Sequence, residues 1–331
     1  IKDLEKIIEI FFDNEGFPLN RNPNDLIKFS KYFILIKECI KDAQQFVPDY
    51  LDEIIEKNLK CIKSILTPHK QVPLFNGGTE TNLEEYLSYI TRLNYKLSKS
   101  QKKIGNLQII KDKKNCIYFD VGQPPRKNLS SNYQSGPLSF EYFLDGDKII
   151  TNCGFGNSIS KKAVLISKLT SAQSTLSIND SSVVKLERNK SINNAYGNSI
   201  KTSFKILEYN FNDNDSEIGS SASHNAYESN FGYIHNREIK INKKNNVIIG
   251  IDKLIKRRES GKVSFNIRFH LYPGINAVQT ISGNSILIQV KKNKSLILVS
   301  EGQKLSVEKS IFLGGNKILN NVCIVISGEL I

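Results

Sequence analysis

The sequence has no methionine, only four histidines and no long apolar run within its 331 residues. A transmembrane helix needs about 20 consecutive apolar residues, so none is predicted. The hydrophobic fraction of 39% instead predicts a soluble globular protein with a sizeable core. The chain starts at Ile1 and its first residues already have helical periodicity, so we expect a further N-terminal part upstream. The lack of an export signal therefore carries no information about localisation.

Close pairs of cysteines are also missing. The five cysteines are scattered and odd in number, which argues against a zinc knuckle or a disulfide framework. Reduced, mostly buried thiols are the expected state, because a free cysteine behaves as a small apolar residue. These residues are Cys39, Cys61, Cys116, Cys153 and Cys323.

Several common catalytic motifs are absent. The chain has no Gly-x-Ser-x-Gly elbow, no P-loop and no His-Glu-x-x-His, which removes the commonest hydrolase, nucleotide-binding and zinc-protease interpretations. Gly154 and Gly156 form half of a dinucleotide-binding fingerprint, but a third glycine and a following helical pattern are missing. We therefore expect no nucleotide cofactor.

Positive charge, in contrast, is abundant. The formal net charge of +13 attracts polyanions, which include nucleic acid, anionic lipid surfaces and acidic polysaccharides. The basic run at residues 253–258 lacks interleaved aromatics and any recognisable nucleic-acid module around it. We therefore expect no nucleic-acid partner.

The hydrophobic period changes near residue 97. Up to that point apolar residues recur at helical spacing, with breaks at Gly or Pro, and Pro23 makes a good helix start. A last helix is expected near residues 83–97. From residue 98 the pattern is one of short strands with turns, including a hairpin at Asp145-Gly146, and no helical pattern. This predicts an α+β multidomain protein, with helices in residues 1–97 and an antiparallel sandwich or barrel in residues 98–331.

One strand and one segment gather the residues that can do chemistry. In strand 263–270 Arg268 and His270 share a face, opposite an apolar face. Segment 223–237 contains two histidines, an arginine and, three residues after the first histidine, a tyrosine; such side chains can move protons and bind a carboxylate. The alternative is that these four side chains are hydrogen-bonded core residues. They are His224, Tyr227, His235 and Arg237.

The pattern His-x-x-Tyr-x-x-x-Phe-Gly-x-x-His-x-Arg, from His224 to Arg237, resembles the C-terminal domain of the heparinase II/III family. Further matching stretches extend the resemblance from about Glu15 to the end of the chain. They are residues 20–23, 74–77, 119–125, 136–141, 152–154, 174–176, 250–254 and 265–273.

The resemblance implies an incomplete (α/α) toroid at residues 1–97 and an antiparallel β-sandwich at residues 98–331. It also implies β-elimination on a uronic-acid-containing polysaccharide, such as a glycosaminoglycan or an alginate-like polymer. The enzyme must neutralise the substrate carboxylate while charge develops, and a Tyr or His transfers protons. Tyr227 and His224 are then the catalytic candidates. Candidate substrate-binding residues are His235, Arg237, Arg268, His270, Asn76, Arg21 and Asn22.

The sequence departs from the family at positions where relatives often carry histidine. Pro18 occupies one of them in the helical part, Gln134 or Ser135 a second, and Gln173 a third, which helps to bind zinc in metal-containing relatives. A neutral amide is a poor zinc ligand beside imidazole, so no metal or other cofactor is predicted.

Two functions follow from the resemblance and its departures. The first is a polysaccharide lyase located in the cell envelope or periplasm, with an acidic polysaccharide as its partner. The second is a non-catalytic glycan-binding or envelope-biogenesis protein on the same fold, because a fold does not by itself specify chemistry.

Overall fold

The computed structural model describes residues 2–97, 99–259 and 261–330. Its N-terminal part is helical and packs against the strands that follow. The helices there are α1 (Lys2–Phe11), α2 (Pro23–Asp42), α3 (Asp49–Ile65) and α4 (Glu84–Arg92).

Helix α2 begins where the sequence predicts, at Pro23. The side chain of Asn22 accepts a hydrogen bond from the backbone N–H of Asn24 at 2.9 Å, which satisfies one of the free donors of the first turn. Helix α4 is shorter than predicted and ends at Arg92 instead of residue 97. Asn94 there adopts a φ of 63°, which lies in the left-handed region and cannot continue a right-handed helix.

Antiparallel strands dominate the rest of the chain. Within the described residues they form three sheets, ordered β1-β2-β3-β4-β5-β11-β16-β15 with β6 beside β11, β10-β9-β8-β7, and β12-β13-β14. The strands are β1 (Lys103–Ile104), β2 (Leu107–Lys111), β3 (Asn115–Asp120), β4 (Phe140–Leu144), β5 (Asp147–Thr151), β6 (Leu176–Ile178), β7 (Ile206–Asp213), β8 (Glu217–His224), β9 (Tyr233–Asn242), β10 (Val247–Lys256), β11 (Val263–Leu271), β12 (Asn276–Gln279), β13 (Ser285–Lys291), β14 (Lys294–Val299), β15 (Lys304–Phe312) and β16 (Leu319–Leu330).

The sheets pack face to face. Alternate residues of the large sheet, such as Ile117 and Ile324, share one apolar core with Ile239 of the four-stranded sheet and Ile288 of the three-stranded sheet. Such two-layer packing of antiparallel sheets around inward-facing residues is a β-sandwich. The predicted hairpin at Asp145-Gly146 is confirmed, because it joins β4 to β5 with φ values of 48° and 87°.

The expectation of no helix after residue 98 is wrong. Three short helices lie in the loops of the sandwich: α5 (Lys161–Ser167), α6 (Lys190–Tyr196) and α7 (Glu228–Phe231). Each is at most two turns long, so it presents too few residues for a helical period to be recognised. A polar residue before α5 and one before α6 cap their first turns, through Ser160 and Asn189.

The helical part and the sandwich share a core. Buried residues of α2 and α3 belong to the same apolar cluster as Leu107 and Tyr118 of the large sheet. The Tyr118 hydroxyl also donates to the carbonyl of Leu66, at the end of α3, at 3.1 Å. The change from helix to strand lies between Arg92 and Lys103. The fold is therefore α+β with antiparallel sheets, and its described helices are too short or too polar to cross a membrane.

The five cysteines are free thiols, and four of them are buried as expected; Cys39 is exposed.

Candidate functional site

The segment that carries the predicted proton-transfer residues folds into the inner face of the four-stranded sheet. His224 ends β8, while His235 and Arg237 alternate on the adjacent strand β9. His235 and Arg237 are two residues apart on one strand, so their side chains point to the same face of the sheet. The strand register places Arg237 opposite Asp252 of β10. The sheet thereby assembles a four-residue cluster from three neighbouring strands.

Hydrogen bonds in this cluster determine how both imidazoles are protonated. The backbone N–H of Ala226 donates to Nδ1 of His224 at 3.2 Å, so the proton of that ring is on Nε2. His224 Nε2 then donates to Nδ1 of His235 at 3.1 Å, and His235 Nε2 donates to Asp252 Oδ1 at 2.6 Å. Both histidines are neutral in this arrangement, and each ring nitrogen has a partner.

Arg237 supplies the charge that balances Asp252. Its Nε and one terminal nitrogen donate to the two carboxylate oxygens at 2.8 and 3.0 Å, and the other terminal nitrogen donates to the carbonyls of Leu138 and Ser174. Burial would raise the pKa of Asp252, but Arg237 and His235 outweigh it and hold that pKa far below its usual range. Burial, followed by the nearby positive charge, lowers the pKa of His224 well below its usual value.

Tyr227, the second catalytic candidate, is also fully enclosed. Its side chain is 1% exposed, and the hydroxyl donates to the carbonyl of Leu176 at 2.8 Å. Its ring packs near the ring of His224, with centroids 5.6 Å apart. Burial raises the pKa of the hydroxyl. In this conformation neither Tyr227 nor His224 presents a polar atom to a bound polysaccharide.

Arg268 and His270 lie on strand β11 and are not part of that cluster, although Ser174 accepts hydrogen bonds from both Arg237 and the backbone N–H of His270. Arg268 donates to Ser177 and to the exposed carboxylate of Asp180, both at 2.7 Å. His270 is buried between Ser310 Oγ, at 2.9 Å, and the carbonyl of Ser171, at 3.0 Å. Burial lowers the pKa of His270 to about 4.

The predicted carboxylate binders meet elsewhere, where the helices contact the sandwich. Arg21 lines a pocket of about 190 Å³ that also contains Asn106, Gln123 and Arg126. Its guanidinium pairs with Asp120 and donates to the carbonyl of Gln123 at 3.1 Å. The backbone at Gly122 approaches this guanidinium so closely that an added Cβ would lie 2.4 Å from it. The loop after β3 therefore wraps around Arg21.

Loop 72–80 extends this region, which we call the junction. Asn76 has a φ of 51°, and the following Gly77 packs against the side chain of Asn22. The backbone N–H of Gly77 donates to Gln134 Oε1 at 3.0 Å, which ties the loop to the sandwich. The junction thus brings together all three predicted carboxylate binders, Arg21, Asn22 and Asn76.

The junction contains three of the eight buried polar side-chain atoms that lack a hydrogen-bond partner among the described residues. Among the described residues, Arg21 Nε, Asn76 Nδ2 and Tyr133 Oη are buried and have no hydrogen-bond partner. An unpaired buried polar group costs about 1 to 3 kcal/mol, so such groups are uncommon without a reason. Burial, followed by the charge of Asp120, raises the pKa of the Tyr133 hydroxyl.

No site role was predicted from the sequence for Tyr133, Asp120 or Gln123. Asp120 and Gln123 lie in a stretch that carried the family resemblance, at the end of β3, and their contact with Arg21 links residues about one hundred positions apart in sequence. A local pattern cannot report such a contact. The position of an acidic residue at a strand end before Gly and two prolines was the only available signal.

Two of the positions that differ from the family pattern, Gln134 and Gln173, are close together and donate to a common carbonyl. Gln134 Nε2 donates to the carbonyls of Gly154 and Ser167 at 3.0 and 2.9 Å, and Gln173 Nε2 donates to the same Ser167 carbonyl at 2.8 Å. In the parts of the chain that the structure describes, no three His, Cys, Asp or Glu residues are grouped as a metal would require. These residues do not fit a zinc ion.

The solved structures that share this fold include three polysaccharide-cleaving enzymes. Heparan sulfate lyase HepC from Pedobacter heparinus is 15% identical, with a TM-score of 0.76, and is matched over 100% of this chain and 54% of its own. The BT4657 gene product, a heparinase III, is 13% identical with a TM-score of 0.76, over 99% and 52%. A further heparinase III is 12% identical with a TM-score of 0.73, over 99% and 54%. The chain therefore spans about half the length of these proteins.

A comparison with curated protein sequences found no match. A family model does match, and it is described as heparinase II/III-like, C-terminal. It covers residues 97–330, which is more than half of the chain and includes the whole sandwich. The chain therefore belongs to the heparinase II/III-like family, through the C-terminal domain of that family.

Proposed function

We propose that the protein is a polysaccharide lyase that cleaves a uronic-acid-containing polysaccharide by β-elimination and binds it at the junction. Family membership and the shared fold with heparan sulfate lyase and heparinase III support this function. We also propose that helices α1 to α4 are part of an (α/α) toroid. We propose a location in the cell envelope or periplasm.

The observation that carries the proposal is the pair of unused donors at the junction. Arg21 Nε and Asn76 Nδ2 are buried without partners, so a substrate carboxylate reaches them only when the loops that carry them move. Arg21 contacts Asp120 of the sandwich, and the backbone N–H of Gly77, next to Asn76, contacts Gln134. Asp120 neutralises Arg21 only from one side, and the exposed Arg126 adds positive charge at the pocket. A carboxylate accepts hydrogen bonds of this kind, and charge-assisted bonds are about twice as strong as neutral ones.

Such donors suit the chemistry of β-elimination. A base removes the proton alpha to the uronate carboxylate, and the electron pair of that C–H bond moves towards the carboxylate. Negative charge then develops on the carboxylate oxygens, where fixed donors stabilise it. As the carbon–carbon double bond forms, the bond to the glycosidic oxygen breaks and that oxygen takes a proton. Arg21 and Asn76 are the groups we propose for the developing charge.

The acid and base are a separate part of the proposal. Tyr227 and His224 remain candidates, but either would have to leave a hydrogen bond with a buried partner before it could contact substrate. His235 and Arg237 are bound to Asp252 in the same way. We therefore propose that His235, Arg237 and Asp252 support the sandwich and contribute to activity only indirectly.

A second function is favoured by that same burial and by the amide pair at Gln134 and Gln173. A non-catalytic glycan-binding protein needs the donors of the junction but no proton-transfer residue. It would bind acidic polysaccharides without cleaving them.

The experiment that separates the two functions uses the full-length protein and a panel of heparan sulfate, heparin, alginate and other polyuronates. Absorbance of the unsaturated uronate in the ultraviolet reports elimination, and calorimetry reports binding. A lyase gives both signals with at least one polymer. Binding without any absorbance gain identifies the glycan-binding protein, and the lack of both signals contradicts both proposals.

A further inference from the structure

Strand β14 is an open edge of the three-stranded sheet. It pairs with β13 on one side, and within residues 261–330 and the other described ranges no strand pairs with its other side. The backbone groups of an open edge strand are free to pair with another chain. Proteins usually prevent this with charged residues inside the edge strand.

The other long edge strands carry such charges and β14 does not. Strand β7 contains Glu208 and Asp213, and β15 contains Glu308 and Lys309. Strand β14 reads Lys-Ser-Leu-Ile-Leu-Val, with its one charge at the first position. That charge is turned inwards, where Lys294 pairs with Asp147 at 2.8 Å.

The outer face of this sheet carries a row of exposed apolar residues between polar ones. Val278, Leu287 and Ile297 lie side by side across the three strands, and they are 64%, 42% and 68% exposed. Val299, on the edge strand itself, is 64% exposed. Single exposed apolar residues are ordinary, whereas a contiguous row marks an interaction surface.

We propose that the β14 edge pairs with the β14 edge of a second copy of this chain, in antiparallel orientation about a two-fold axis normal to the sheet. Opposite residues of an antiparallel pair point to the same face, so an axis at Ile297 places the two Ile297 side chains together and Ser295 opposite Val299. The apolar row then continues from one copy into the other through a six-stranded sheet.

The charges at the two ends of β14 argue for a second copy as the occupant. Lys292 lies in the turn before the strand and Glu301 lies just after it; both are exposed, and neither has an ion-pair partner among the described residues. An antiparallel pair brings the turn with Lys292 of one copy beside Glu301 of the other. The two-fold axis repeats this contact, so the interface is self-complementary.

Analytical ultracentrifugation of the chain over a range of concentrations tests the dimer. We expect Ile297→Lys to raise the dissociation constant at least tenfold, because it adds a charge at the centre of the seam. The control is Val278→Lys, at an equally exposed position of the same apolar row but on β12, and it should leave the dissociation constant within about threefold. Circular dichroism checks that both variants fold.

Charge reversal provides an independent readout. Glu301→Lys and Lys292→Glu should each weaken association, and the double variant should recover it. A wild-type chain that stays monomeric at all concentrations overturns the proposal. So does equal weakening by Val278→Lys and Ile297→Lys, which would indicate packing through the sheet face, or a double variant that shows no recovery.

Discussion

The buried cluster of the four-stranded sheet and the junction both contain an Arg–Asp pair, but they differ in whether their polar atoms all have hydrogen-bond partners. In the cluster, His224, His235, Asp252 and Arg237 satisfy one another, and both nitrogens of each imidazole are bonded. At the junction, Arg21 and Asn76 each keep a buried donor without a partner. A satisfied polar network stabilises a fold, whereas a donor without a partner gains a hydrogen bond once a ligand reaches it. The comparison therefore supports our proposal that the cluster is part of the scaffold and that the junction binds substrate.

Removal of the carboxylate from the cluster is the strongest test of this contrast. Asp252→Ala leaves Arg237 as an uncompensated buried charge and His235 without its acceptor, and breaking a buried pair in this way costs about 3 to 5 kcal/mol. Chemical denaturation measures the loss. The matched control is Asp180→Ala, whose pair with Arg268 has an exposed carboxylate and should cost at most about 1 kcal/mol. Equal losses would show that the cluster is not a stabilising unit.

Acid should destabilise the sandwich through its buried histidines. Burial lowers the pKa of His224 and His235 below 6.5 in the folded protein, and that of His270 to about 4. Below pH 6.5 the unfolded chain therefore binds protons that the folded chain does not, so stability falls as pH falls. The slope is roughly 1.4 kcal/mol per pH unit for each histidine.

Denaturation midpoints between pH 7 and pH 4.5 measure this slope. His270→Asn retains a polar group beside Ser310 and Ser171. It should reduce the slope by the contribution of one histidine, which is roughly 1.4 kcal/mol per pH unit. A midpoint that is constant down to pH 4.5 would mean that the imidazoles accept protons in the folded state without cost.

Tyr227 provides the smallest expected effect. Tyr227→Phe removes the hydroxyl that donates to the Leu176 carbonyl and should cost about 1 kcal/mol of stability. Binding of an acidic oligosaccharide should be unchanged, because the hydroxyl is buried and bonded to a backbone carbonyl. A tenfold or larger loss of elimination rate at unchanged stability would place the hydroxyl in the mechanism.

Local sequence patterns predicted the helix starts and turns that depend on residues close together in the sequence. The start of α2 at Pro23 and the hairpin at Asp145-Gly146 depend on residues within one turn, and both are confirmed. Strand β11 shows the limit. Its alternation correctly placed Phe265 and Ile267 in the core, but could not show that His270, on the opposite face, is buried against β15.

The candidate site shows the same limit for the same reason. The sequence identified His224, Tyr227 and Arg237 as a local cluster, yet their burial depends on Asp252 and Leu176, which belong to other strands. The junction depends on contacts between Arg21 and Asp120 and between Gly77 and Gln134, and all of them join distant parts of the chain. Side-chain chemistry could be predicted from the sequence, whereas exposure required the fold.

The affinity of the full-length protein for a heparan sulfate oligosaccharide, measured for Asn76→Asp and Asn246→Asp, tests the role of the junction most directly. Both asparagines have left-handed φ values, 51° and 56°, which aspartate also tolerates, so the backbone is preserved. Asn246 is exposed in the turn between β9 and β10 and is the control. We predict that Asn76→Asp weakens binding about 10- to 100-fold, since it replaces a donor with a negative charge. Unchanged affinity in Asn76→Asp, or equal losses in both variants, would contradict carboxylate binding at the junction.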